Sequence, residues 1–182
     1  MPRHGRLRIL RLSMEITKDT FDDLQYFVEM AGKNKLVKKN NFYVGFCSGP
    51  DALDQVMAEY RDFSNFFLVD DTTSGNTFGA KPGWFDRKVY TIYILVGYEL
   101  RNEEKYKVAL ALARKIFKQL LSRVIRDKAS YKFGQALMYM NLDTVYSQEF
   151  GRYSFNGTTG LFFQLQNNEP LNLVFDQNEW EE

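Results

Sequence analysis

The longest coherent pattern of apolar and polar positions runs over residues 88–128. Between 89 and 100 the odd positions carry Val89, Thr91, Tyr93 and Leu95, and the even ones Tyr90, Ile92, Ile94, Val96 and Tyr98. Both faces of an extended segment are therefore apolar, as a central strand requires when each surface of its sheet is covered. From Asn102 the period changes. Tyr106, Ala109, Ala113, Ile116, Leu120 and Val124 recur at steps of three and four, with Lys107, Arg114, Lys115, Lys118 and Arg123 between them, which predicts a long amphipathic helix. Asn102 is placed to cap it. Glu103 and Glu104 then meet the positive end of the helix dipole, and Arg126 and Lys128 the negative end. About 25 helical residues would span about 37 Å, enough to lie across a sheet of four or five strands.

The remaining segments are shorter. Phe21, Leu24, Phe27, Val28 and Ala31 predict a helix capped by Thr17 or Asp19 and closed by Gly32. A polar connection over 33–41 leads to a strand at 42–47. Ser48, Gly49, Pro50 and Asp51 then turn the chain into a second short helix with Leu53, Val56, Met57 and Tyr60 on one face. A strand is expected at 63–69. Residues 71–83 (DTTSGNTFGAKPG) are rich in turn-formers and read as an extended loop. After the long helix, strands are expected at 137–146, 159–166 and 171–175, the last two joined by a turn at Asn167, Asn168, Glu169 and Pro170. Consecutive strands at the end favour antiparallel pairing. The expected fold class is α+β: one mixed or antiparallel sheet of about 4–6 strands, packed by one long helix and two shorter N-terminal helices. Residues 1–16 are expected to form a flexible basic arm, 17–176 a single domain, and 177–182 an acidic tail.

Composition narrows the function classes. A 182-residue chain that is 45% hydrophobic and 16% aromatic can fill the core of one domain. Twenty-four basic residues against 23 acidic ones give no global field for nucleic acid or an anionic membrane. The apolar runs are too short to span a bilayer. A single cysteine, Cys47, and the lack of a secretory pattern fit a reducing compartment.

Reactive constellations are sparse. Cys47 would need a base to act as a nucleophile, and the one histidine, His4, lies in the N-terminal arm; a buried core thiol is the expected role. One cysteine and one histidine do not make a zinc site. Asp70 and Asp71, joined by Asp86 across the glycine-rich stretch, could gather a divalent cation, as in a metal-dependent hydrolase or nuclease. Exposed strand-end carboxylates are the ordinary explanation. The glycines of SGNTFGAKPG match neither phosphate-binding pattern, and Lys81 stands alone. No catalytic, cofactor or metal residue is therefore assigned. Asn76, Phe78, Lys81, Trp84, Phe85 and Arg87, in or beside the glycine-rich loop, are the residues expected to be presented for an interface.

FFLVDDT, the glycine-containing loop, GWF, the strand VYTIYILVGYEL, the lysine-rich helix and the closing TGLFFQLQ together resemble the tail-terminator and neck (head–tail connector) proteins of tailed bacteriophages over roughly residues 63–175. That resemblance implies a non-enzymatic virion protein assembled in the bacterial cytoplasm. It would form a ring with itself, usually of six copies, that closes the tail tube and meets the head-side connector. Its partners would be the tube protein and neck proteins, with DNA only passing through the channel, no membrane and no cofactor. The alternative is an intracellular binding module that docks a protein through residues 71–85.

Overall fold

The computed structural model describes residues 21–80, 83–155 and 157–181. The expected basic arm and the caps at Thr17 and Asp19 lie outside them. The first helix, α1 (Asp23–Lys33), starts at Asp22, whose carboxylate accepts the Gln25 N–H at 2.8 Å. Gly32 does not end it. Asn34 does, and the same side chain accepts the N–H groups of Leu36 and Val37 to start a five-residue helix, α2 (Lys35–Lys39), within the stretch expected to be a polar connection.

Strand β1 (Phe42–Cys47) is followed by a 3-10 turn at Pro50–Ala52, helix α3 (Leu53–Glu59) and strand β2 (Asn65–Asp70), which lies parallel to β1. The expected loop at 71–83 is overturned. Ser74–Ala80 is a strand, β3, paired along its whole length with the first half of β4 (Gly83–Gly97). Its turn-forming composition has a different use. A Cβ on Gly75 would lie 2.2 Å from the Arg87 carbonyl oxygen, and one on Gly79, where φ is 137°, would lie 2.4 Å from that of Gly83. The glycines thus permit a close backbone approach that larger residues would block. β4 consequently begins at Gly83 rather than near Val89 and ends at Gly97 rather than Leu100.

Helix α4 (Glu103–Ala129) has the expected ends, with Asn102 accepting the Lys105 N–H at 3.1 Å. Ala109, Ala113, Ile116, Leu120 and Val124 are buried along its inner side. Strand β5 (Met140–Phe155) is twice interrupted in its pairing with β6 (Thr158–Leu171), between Asn141 and Tyr146 and between Phe150 and Phe155. The expected turn at 167–170 and the terminal strand at 171–175 are overturned. β6 continues through Pro170 because the longer β4 offers partners as far as Trp84. Beyond Asn167, opposite Met140, β5 pairs no further with β6, so a proline there removes no N–H that the ladder uses.

The result is an α+β fold with a single mixed sheet in the order β1-β2-β4-β6-β5, β3 following β2 along the same edge of β4. The even residues of β4 from Tyr90 to Val96 pack beneath α1 and α4 with Phe67, Val69, Leu161, Phe163 and Leu165. Its odd residues Tyr93 and Leu95 pack with Phe66, Leu68, Cys47 and α3 on the other side. The central strand is covered on both faces as its pattern requires. Fully buried Ile92, Ile94, Ile116 and Leu120 each stabilise the fold by about 1.5–3 kcal/mol relative to exposure.

Candidate interaction surface

Beyond Val89 the first half of β4 leaves the helical layers and forms, with β3 and the end of β6, a three-stranded antiparallel blade. Register assigns its side chains to two faces. Asn76 lies opposite Arg87 and Phe78 opposite Phe85, and Asn168 neighbours Arg87 from β6. Trp84 pairs with Gly79 and Leu171 on the reverse face. The structure therefore brings together four of the six residues expected at an interface, Asn76, Phe78, Phe85 and Arg87, and turns Trp84 away from them. Lys81 lies outside the described residues.

Phe78, Phe85 and Arg87 form a preset constellation with Asn168, and Asn76 lies beside it in register. The Phe78 and Phe85 rings stack with centroids 5.6 Å apart, and the Arg87 guanidinium sits 4.5 Å from the centroid of Phe78. Arg87 Nε donates to Asn168 Oδ1 at 3.1 Å. One nitrogen and one π-face thus hold the guanidinium in place, and among the described residues its terminal nitrogens keep their donors for an incoming carboxylate or carbonyl. On the reverse face Lys88 Nζ meets Glu169 Oε2 at 3.0 Å, and Glu169 Oε1 accepts from Asn167 at 2.9 Å. The Lys88 ammonium is held above its ordinary pKa mainly by that bond to Glu169. Lys88 and Glu169 on that face are thus paired with each other.

The Arg87 face continues across the sheet past α3. Tyr93 stacks near Phe150 and Phe162, and Tyr146 packs against Phe162 with centroids 5.8 Å apart. Tyr146 is 51% exposed. Between these rings and the blade stand Thr91, Gln164 and Gln166, with Gln164 Nε2 donating to Thr91 Oγ1 at 3.2 Å. Tyr146, Phe150 and Phe162 escaped the sequence reading because aromatic residues in strands are usually core. Only the register shows that they share a face with Phe85. The surface is made of aromatic rings, amides and one arginine; aromatic residues and arginine are enriched at protein interfaces, where lysine and carboxylates are depleted.

The other candidates have structural roles. Asp70 is buried at the junction of β2 and β3, where its Oδ1 accepts from Gly49 N, Thr72 N and Thr72 Oγ1 at 3.0, 2.9 and 2.6 Å. It organises the break that separates the two strands. Asp86 lies opposite Thr77 on the reverse face of the blade, so the sheet does not gather it with Asp70 and Asp71. Among the described residues, no group of three His, Cys, Asp or Glu side chains is placed to hold a metal ion. Cys47 is buried, and desolvation, helped by the charges of Asp70 and Asp71, pushes its thiol up to about 12. A thiol so rarely ionised is a poor nucleophile.

Among the described residues no helix is long and apolar enough to cross a membrane. No protein-family model matches the chain, and no curated protein matches it.

Proposed function

We propose that this chain is a non-enzymatic structural subunit of a tailed-phage particle, a ring former that closes the tail tube and joins it to the head-side connector. The observation that carries the proposal is the open, aromatic and amide-rich half of the sheet, running from Tyr146 to the blade and ending at the preset Arg87. A surface of that composition suits another protein rather than a nucleic acid, whose phosphates would call for several cations. Ring closure needs two different patches on one subunit. The blade at one end of β4 and a cleft at its other end, about 1060 Å3 and bordered by Arg61, Leu100, Lys105 and Val108, are two such patches.

The test is assembly. Light scattering over a concentration series, alone and with the tube protein, should give a closed oligomer of defined mass, sixfold as the resemblance implies. A strict monomer at high concentration that also ignores tube protein would overturn the proposal. A second reading, a monomeric module that docks an unrelated protein, draws on the same Arg87 face; a monomer whose partner binding is lost on replacing Phe78 and Phe85 would favour it.

A further inference from the structure

The segment after β6 lies at the surface and holds one 3-10 turn at Gln177–Glu179. Leu173, Val174, Phe175 and Trp180 are all exposed, Val174 by 82%, and the rings of Phe175 and Trp180 lie against each other with centroids 6.2 Å apart. An apolar stretch of this kind at the surface marks a contact. It is also uniformly acidic. Residues 153–182 contain no lysine or arginine, and Asp176, Glu179, Glu181 and Glu182 fall in the last seven positions.

The opposite composition lies elsewhere. Asn34 Nδ2 donates to Gln119 Oε1 at 2.9 Å and joins the end of α1 to α4. Beside that bond is a groove of about 300 Å3, with Met30, Leu120 and Phe133 among its walls and Lys33, Lys35 and Lys132 among its cations. Lys33 is paired with Glu29, and Arg123, which also lines the groove, with Asp127. Lys35 and Lys132 pair with no carboxylate among the described residues; Lys132 instead sits 5.0 Å from the Phe133 ring centroid. Lys38 and Lys39 follow on α2, and Lys115 and Lys118 precede the groove on α4.

We infer that the acidic, apolar C-terminal segment of one copy docks in the basic groove between α1 and α4 of a second copy. The inference rests on the ring-forming reading and names one contact that would build it. Size and chemistry agree: the groove accepts one large side chain on an apolar floor, and its rim offers cations where the segment carries carboxylates. Residues 172–180, extended, reach about 30 Å, which is enough to cross to a neighbour. Tail and groove are different patches, so the contact is heterologous and propagates until it closes.

Charge exchange tests this on the full chain. One variant carries Lys35→Glu with Lys132→Glu, another Glu179→Lys with Glu181→Lys, and a third all four substitutions. Each two-site variant should raise the concentration at which sedimentation velocity detects assembly by at least tenfold. The four-site variant, and an equal mixture of the two two-site variants, should recover it, which general damage to the fold would not do. Oligomers unaffected by either exchange would overturn the docking while leaving the ring proposal standing, whereas a wild-type monomer that ignores tube protein would overturn both. Unchanged mass with a tail-dependent melting temperature would show the segment folding back on its own groove, against the inference. Salt-sensitive binding of duplex DNA that Lys35→Glu with Lys132→Glu removes, with assembly intact, would assign the groove to nucleic acid instead.

Discussion

The two halves of β4 are one continuous strand put to different uses. From Tyr90 to Val96 nearly every residue is buried, under α1 and α4 on one side and α3 on the other. From Gly83 to Val89 the same strand has, among the described residues, only β3 and β6 beside it, and none of its side chains is fully buried. A strand covered on both faces supplies stability. A strand held only by its neighbours' backbones contributes little to stability and is left free to present side chains.

Matched glycine substitutions give the largest separation between the halves. A Cβ on Gly160 would lie 1.9 Å from the Ile94 carbonyl oxygen, inside the covered half. Gly160→Val should therefore cost more than about 4 kcal/mol or prevent folding, as read by urea denaturation. Gly79→Val brings a clash of the same kind to the blade, 2.4 Å from Gly83 O, where β3 can separate from the first half of β4 without opening the core. Its cost should stay near 1 kcal/mol, within the usual range for single substitutions. Equal losses at the two sites would mean that the blade and the core unfold as one unit.

Truncations come next. Ile94 is fully buried, and Ile94→Ala should cost about 2–5 kcal/mol. Phe85→Ala removes a half-buried ring and should cost about 1 kcal/mol, yet disperse the assembly. Arg87→Ala should leave stability within about 0.5 kcal/mol and weaken assembly by about tenfold, with Arg87→Lys no better because lysine lacks the planar fork. If Ile94→Ala and Phe85→Ala impaired assembly only in proportion to lost stability, the division between the halves of β4 would fail.

What was legible in the sequence follows the same division. The covered half of β4, the α4 stripe and the Asn102 cap could be read because burial and helix geometry impose a period on side-chain chemistry. The blade could not. Gly75 and Gly79 in β3 and Pro170 in β6 are turn-formers by type, and they stand in strands because the neighbouring backbone comes close or because an edge N–H is not needed. The interface candidates were found by their clustering around those glycines, but their split into two faces depended on a register that composition does not encode. Tyr146, Phe150 and Phe162 were missed for the same reason.

The smallest predicted effect lies at the boundary between the halves. Tyr90, the first buried residue of β4, donates its hydroxyl to the Asp23 carboxylate in the first turn of α1. Burial raises the Asp23 pKa and outweighs the Tyr90 hydrogen bond, with Glu169 and Asp22 adding to the rise and Lys88 opposing it. The folded state therefore holds the proton of Asp23 more tightly than the unfolded chain does. The contribution of Asp23 to stability is complete below its unfolded value and is lost as pH rises through the raised folded value. Asp23→Asn keeps an acceptor for Tyr90 and does not ionise. Denaturation midpoints should thus favour the asparagine variant at pH 7, and the difference should shrink as pH falls toward the ordinary carboxylate value of 3.8. A difference that instead grew on acidification would mean that Asp23 stabilises the protein as an anion, acting on the α1 dipole or on Lys88 more strongly than burial acts on it.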